Sequence, residues 1–560
     1  MIRLFQTNVV RKLKELEGDW DFQPVEADGT LPSEYRYRMP VPGCWEMHPR
    51  FDVYRGKAAY RTTVQTAKKT ALRLTFKGVS HTAEVYFDGE KIAEHYNAYT
   101  AFSVIVPEAD AGTHDVAVLV DNSFNDASAL HVPNDYFTYG GIIRPVVVEE
   151  IPDTFIERIE FIPSMAGSGW QASINVYVRN IGNKDTEAEL RGTLAGTSIH
   201  MGKRLIPAGQ TAVFHANQMF NGVNAWSNAA PNLYLLQMQL YSASGGEPVD
   251  DLIERVGFRE VTTHNGKIQI NGEDIMLKGF NRHEDHPLAG AAIPYQLMVK
   301  DVELMVDMGA NTVRTSHYPN DERFLDLCDE RGIYVWEENH ARGLSLEQMK
   351  HPNFMKQCEG CNREMVEQHY NHPSIIIWAI LNECASDTPE GREMYKAQLE
   401  QIRSMDQSRP LTFASHHRDK ELCFDLADIV SFNLYPLWYG EEDPGELCDQ
   451  ARKWADEAGG LGKPMIMSEF GADGYYGLRD PARFKGTEER QADIIRRNIV
   501  AYQARPFISG MLIWQFCDCK VTEGNGWLLS RAGTQNSKGI VDRYRRPKLS
   551  YDTVKSLFHL

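Results

Sequence analysis

Short runs in which apolar and polar residues alternate fill the first half of the chain. They include Ala71-Leu-Arg-Leu-Thr-Phe76, Ala83-Glu-Val-Tyr-Phe87 followed by Asp88-Gly89, and His114-Asp-Val-Ala-Val-Leu-Val120. A period of two closed by turn residues predicts antiparallel hairpins with one buried face. The spacing predicts a β-sandwich over residues 1–152. A second alternating set, with Ala172-Ser-Ile-Asn-Val-Tyr-Val178 and Leu233-Tyr-Leu-Leu-Gln-Met-Gln-Leu240, is sized for an immunoglobulin-like sandwich over 153–262. From residue 263 to 560 the pattern changes. Apolar strands alternate with amphipathic helical stretches such as Ala397-Gln-Leu-Glu-Gln-Ile-Arg403, the signature of βα units. Eight candidate strands (275–280, 311–316, 333–338, 375–382, 410–415, 429–434, 464–469 and 510–516) predict a (β/α)8 TIM barrel.

Active sites of such barrels lie at the C-terminal ends of the strands, so the polar residues that close each apolar run carry the information. Strand 2 closes on Arg314-Thr-Ser-His317, strand 4 on Asn382-Glu383, strand 6 on Asn433-Leu-Tyr435, and strand 7 on Ser468-Glu469. Two glutamates at one mouth are what glycoside hydrolysis requires. One protonates the leaving oxygen and the other attacks the anomeric carbon, with the carboxyls about 5 to 5.5 Å apart in a retaining enzyme. A single Glu at a strand end is ordinarily a salt-bridged structural residue. The pair, with Asn382 and Tyr435 beside it, is not accounted for in that way.

Charge and cysteine content narrow the setting. With 59 Lys+Arg against 77 Asp+Glu the net charge is −18, which disfavours nucleic acid and anionic membranes as partners and requires a local cationic pocket for any anionic substrate. The nine scattered cysteines suit reduced thiols; Cys358 and Cys361 lack the second pair that would complete a zinc set. The N-terminus lacks the apolar run of a secretory signal, and the expectation is a cytoplasmic protein with no membrane segment.

Several segments resemble glycoside hydrolase family 2, and within it the β-glucuronidase branch. They are Leu16-Glu-Gly-Asp-Trp20, Val41-Pro-Gly-Cys-Trp45, Lys278-Gly-Phe-Asn-Arg-His-Glu-Asp285, Thr312-Val-Arg-Thr-Ser-His-Tyr-Pro319, Asn382-Glu383 and Ser468-Glu-Phe-Gly471. The resemblance implies a jelly-roll β-sandwich, an immunoglobulin-like β-sandwich and a catalytic (β/α)8 TIM barrel, in the order already read from the strands, and a bacterial β-hexuronidase. It implies Glu383 as acid/base, Glu469 as nucleophile, Asn382 on the sugar 2-hydroxyl, and Tyr435 and Arg314 as supports of the nucleophile. Arg314 is expected to keep Glu469 ionised, and the charge of Glu469 to raise the pKa of Glu383. Asn536-Ser-Lys538 resembles the Asn-x-Lys motif that meets the uronate carboxylate. Asn433 and Tyr439 are implied to line the uronate pocket, Asp135 to reach over the barrel to the O4 hydroxyl, and His317 and Trp514 to complete the floor.

The expected substrate is a small-molecule or oligosaccharide β-D-glucuronide, cleaved from its end by a homo-oligomer with no cofactor or metal. Galacturonide remains open because of Arg342, which follows strand 3 where relatives carry a small or apolar side chain; an arginine fork there could read an axial 4-hydroxyl. Residues 344–371 leave room only for a short loop and a helix, so no long insertion covers the leaving group. The competing readings are a family 2 β-galactosidase or β-mannosidase, against which Asn536 and Lys538 argue, and a carbohydrate-binding protein without catalysis, against which the complete carboxylate set argues.

Overall fold

A computed structural model describes residues 2–26, 29–522 and 531–560. The N-terminal β-sandwich pairs a four-stranded with a six-stranded antiparallel sheet, and its core gathers the inward positions of the alternating runs, among them Phe22, Tyr60, Leu74, Val85 and Val118. A second sandwich follows, with a three-stranded sheet built on Thr154–Ala166, Gly169–Asn180 and Thr211–Phe220 facing a four-stranded one. The strands Val261–His264, Lys267–Ile270 and Glu273–Ile275 form a small sheet, and Ile268 and Ile270 pack with the barrel residues Leu277, Ile377 and Leu512.

Eight parallel strands then close a barrel: β1 Leu277–Asn281, β2 Thr312–Thr315, β3 Tyr334–Glu338, β4 Ile375–Ile380, β5 Leu411–Ser415, β6 Val430–Asn433, β7 Met465–Phe470 and β8 Ile508–Ile513. Their side chains are buried on both faces because helices cover the outside, which is why these strands read as unbroken apolar runs. Helix boundaries follow local chemistry. The helix Pro389–Met405 begins with proline at its first position and the Thr388 hydroxyl accepting from Gly391 N, while Glu322–Arg331 ends on Gly332 at φ 65°, a left-handed conformation that suits glycine.

One βα unit departs from expectation: between β5 and β6 the described elements include only a 3₁₀ turn, Arg418–Lys420. The segment after β3 forms the helices Leu346–Met349 and Phe354–His369 and carries no long insertion, as its length implied. All nine cysteines are buried and unpaired. Among the described residues no helix is long and apolar enough to cross a membrane.

Candidate active site

The polar ends of β2, β3, β4, β6 and β7 converge on one hydrogen-bonded network. Arg314, fully buried on β2, is its hub. Its Nη1 donates to Glu469 Oε1 at 2.8 Å and to Asn281 Oδ1 at 2.8 Å, its Nη2 to Asn382 Oδ1 at 2.7 Å, and its Nε and Nη2 fork onto Glu338 at 2.8 and 3.0 Å. A bidentate arginine–carboxylate fork fixes orientation as well as charge. Tyr435 donates its hydroxyl to the other oxygen of Glu469 at 2.6 Å. The nucleophile candidate is thus held at both oxygens.

Glu469 is delivered by the last turn of β7, where the chain must pass close to β8. A Cβ at Gly471 would stand 2.2 Å from the Trp514 carbonyl oxygen, so only glycine allows Trp514 N to reach Phe470 O at 2.9 Å. Glu383 lies just beyond β4 with φ 52°, and Leu381 before it has φ 46°, a left-handed conformation that is unfavourable for both side chains. Neighbouring strands pin this turn: Asn382 N donates to Ala341 O at 3.0 Å, Glu383 N to Ala414 O at 2.9 Å, and Tyr395 donates to Leu381 O at 2.8 Å.

Glu383 Oε1 accepts from Asn433 Nδ2 at 2.9 Å, and the same amide donates to Asn382 Oδ1 at 3.0 Å. Asn382 therefore has a doubly held carbonyl oxygen, while its Nδ2 is buried with no hydrogen-bond partner among the described residues. His317 Nε2 is in the same condition. Buried polar groups without partners are costly, which marks both as positions for a ligand hydroxyl. His317 also stacks on Trp514 with ring centroids 5.0 Å apart, and its other nitrogen, Nδ1, donates to Glu338 Oε1 at 2.7 Å.

The protonation of the carboxylate pair departs from the sequence expectation. Burial favours a neutral Glu383, but Arg342, His416 and the Asn433 amide outweigh it and hold its pKa below the ordinary value. Burial and the Glu383 charge push Glu469 up to about 7, against Arg314 and Tyr435. The expectation had assigned the cation to Glu469 alone. Arg342, whose Nη2 lies 3.6 Å from Glu383 Oε2, brings a second cation to the pair, on the Glu383 side.

Arg342 is far from a surface arginine. Its side chain is 16% exposed, and its Nη1 donates to Asn134 Oδ1 of the N-terminal sandwich at 3.0 Å. The loop that contains Asn134 does reach the barrel. Tyr136 pairs with His340 at 2.8 Å, and Asp135 accepts from Arg531 Nε at 2.9 Å, from Arg531 Nη2 at 2.5 Å and from Asn536 Nδ2 at 2.8 Å. Lys538 is 1% exposed; its ammonium meets Asp473 Oδ1 at 3.2 Å and lies 5.1 and 5.3 Å from the centroids of Trp438 and Tyr439. Asn536 and Lys538 thus stand behind the pocket wall, engaged by carboxylates of the chain itself. Arg531, Glu338, Asp473 and His416 were missed by sequence reasoning.

A cavity of about 370 Å³ opens at this mouth. Asp135, Arg531, Tyr439 and Trp514 line it together with Glu383 and Glu469 and with His416, Arg418 and Glu442. Elsewhere, Asp326, Asp329 and His372 are close enough to share a cation, but Arg3 and Arg255 already bring two guanidiniums to Asp326, at 2.8 and 3.5 Å.

Residues 261–560 match the family model for the TIM barrel domain of glycosyl hydrolases family 2, which covers more than half of the chain, and residues 154–259 match a second model of the same family. The chain belongs to glycosyl hydrolases family 2. Within that family it is similar to a β-galacturonidase from Eisenbergiella tayi, with 44% identity, a TM-score of 0.96, and 100% of this chain and 98% of that chain covered. A second structure of the E. tayi enzyme, bound to galacturonate, gives a TM-score of 0.95 at 44% identity over 100% and 99% of the two chains. A β-glucuronidase from Streptococcus agalactiae is 28% identical over 88% of this chain and 87% of that protein. Human β-glucuronidase is 27% identical over 97% and 90%. A family 2 hydrolase is an enzyme, which removes the non-catalytic reading.

Proposed function

We propose that this family 2 hydrolase is a retaining exo-β-hexuronidase, with Glu469 as nucleophile and Glu383 as general acid/base. The observation that carries the reading is the unequal treatment of two carboxylates facing one cavity: Glu469 is gripped at both oxygens by Arg314 and Tyr435, while Glu383 sits beside Asn433 and a cation. A gripped carboxylate keeps its orientation for attack on the anomeric carbon, and a less constrained one can give and regain a proton. Glu469 would form the glycosyl–enzyme bond as Glu383 protonates the departing oxygen; Glu383 would then deprotonate the water that breaks that bond. Asn382 Nδ2 is the donor for the 2-hydroxyl, where a hydrogen bond strengthens as positive charge develops on the ring.

Substrate charge completes the proton arrangement. A uronate carboxylate drawn to Arg342 competes with Glu383 for that guanidinium, so the cation that depresses the Glu383 pKa is partly neutralised. The shared proton then moves from Glu469 to Glu383, the distribution that double displacement needs. Arg342, Arg531 and Lys538 together give a local cationic cluster in a chain of net charge −18. The Asp135–Arg531 wall supports cleavage from the non-reducing end.

The preferred sugar in this reading is β-D-galacturonate, supported by the 44% identity to the E. tayi β-galacturonidase and by the placement of Arg342 against Asn134. β-D-Glucuronate is the second reading, supported by the similarity to β-glucuronidases and by Asp135 lining the cavity. The test is the ratio of kcat/KM for nitrophenyl β-galacturonide and β-glucuronide, with the first-formed anomer followed by NMR. Galacturonide preference with retention is expected. Hydrolysis of neutral glycosides but of neither uronide would overturn the reading.

A further inference from the structure

Glu383, as the acid/base, must face the bond to the leaving group, so the cavity residues grouped beside it and bonded to neither Asp135 nor Arg531 are the ones that can meet the leaving group. They come from the two loops that follow β5 and β6. His416 is the first residue after β5, with Nδ1 3.7 Å from Glu383 Oε1. Arg418 starts the 3₁₀ turn that replaces a helix at this point, and its left-handed backbone, φ 55°, sets its direction. Glu442 comes from the loop after β6, and its Oε1 accepts from Arg418 Nη2 at 3.1 Å. All three line the same cavity as Glu383 and Glu469.

The chemistry of this wall is uniform. Arg418 offers five N–H donors in a planar fork, Glu442 offers acceptors, and His416 offers one of each when neutral. Burial lowers the His416 pKa, which keeps it neutral near pH 7. Beyond the His416 imidazole, these three contribute no aromatic or aliphatic surface. A flat apolar leaving group placed here would strip water from charged groups and return no hydrogen bonds, which is unfavourable. An anionic one would meet Glu442. A hydroxyl both donates and accepts, and adjacent hydroxyls of a pyranose match a paired fork and carboxylate.

We infer that His416, Arg418 and Glu442 form a leaving-group subsite for a neutral, hydroxylated pyranose, so that the substrate is a β-uronosyl saccharide rather than an aromatic conjugate. The inference rests on the hexuronidase reading and deepens it. It predicts that leaving-group choice is set by hydroxyl pairing at this wall, independently of how the uronate is read on the other side.

The experiment compares two substrates whose leaving groups are both alkanols of similar bulk: a β-uronosyl-(1→6)-hexose disaccharide and a cyclohexylmethyl β-uronide. In the native enzyme kcat/KM is expected to favour the disaccharide by 10-fold or more. In Arg418→Met that ratio is expected to fall to within 3-fold of unity, and in Glu442→Gln to fall less, because the amide still accepts. A native preference for the cyclohexylmethyl substrate, or a ratio unmoved by Arg418→Met in a variant with native thermal stability, would overturn the subsite. Nitrophenyl β-uronides, whose leaving group needs no acid, are measured alongside. If they are cleaved while the ratio fails, only the subsite is wrong; if no β-uronide is cleaved at all, the hexuronidase reading fails with it.

Discussion

Removing the Arg342 charge is expected to move the pH profile in a direction that a purely structural arginine would not. Arg342 Nη2 lies 3.6 Å from Glu383 Oε2, with side chains 16% and 14% exposed. At about 4 Å and an effective dielectric near 20, two unit charges interact by roughly 4 kcal/mol. The centres of charge are farther apart than the nearest atoms and the mouth admits water, so roughly half of that, about 2 kcal/mol, is the working figure. At about 1.36 kcal/mol per pKa unit this is a shift of about 1.5 units. The active form of the free enzyme holds one proton on the Glu383–Glu469 pair. It is lost on the basic side as the upper pKa of the pair, assigned here to Glu469 at about 7, is passed. Removing a cation disfavours the doubly ionised pair most, so in Arg342→Met the basic limb of kcat/KM should move upward by about one to two units. The assay is kcat/KM against pH on an alkyl uronide, whose leaving group needs the acid, with thermal stability as the folding control. Loss of a uronate contact lowers the amplitude of the curve but not the position of its limb. A basic limb that stays in place or moves down would refute the assignment of Arg342 to the acid/base.

Glu469→Gln should fold with native stability yet lose covalent labelling by a 2-fluoro uronide, together with turnover; labelling at another residue by native enzyme would reassign the nucleophile. Glu383→Gln should retain more activity on substrates whose leaving group needs no proton, read as the ratio of nitrophenyl to alkyl uronide rates. Lys538→Ala leaves Asp473 without its 3.2 Å ammonium partner, and the uncompensated carboxylate beside Arg531 should lower kcat/KM for a uronide more than for the corresponding neutral glycoside; equal losses on both would make the lysine structural.

Strand ends made much of this site legible. In β4 the apolar run Ile375–Ile380 is buried on both faces, so the first polar residues after it, Asn382 and Glu383, had to emerge at the mouth, and the same holds for Glu469 on β7 and Arg314 on β2. Arg531 carries no such signature. It lies well past the end of β8, and its role comes from contacts with Asp135 almost 400 positions away in sequence. Arg342 was noticed as an unusual residue, but its burial depends on Asn134 from another domain, a contact that no local pattern encodes. The proton distribution over Glu383 and Glu469 was misjudged for the same reason. A pKa is set by spatial neighbours, and two of those around Glu383, Arg342 and His416, come from different loops.

The end of the cavity that holds Asp135 is built at a domain interface, and this bears on why the sandwich remains attached to a barrel that holds both carboxylates. Asn134, Asp135 and Tyr136 reach the mouth only because the sandwich is locked to the barrel. Arg144 donates to Glu284 at 2.8 Å and to Pro319 O at 2.7 Å, and Asp285 accepts from Tyr139 at 2.8 Å and from Arg543 at 2.6 Å. Buried ion pairs of this kind contribute little net stability, but each fixes one relative position, because a slip leaves a charge without a partner. Glu284 and Asp285 follow β1 directly, so the elements that carry the catalytic network also set the distance to Asp135. The position of Asp135, and with it that end of the pocket, is therefore governed by residues outside the cavity.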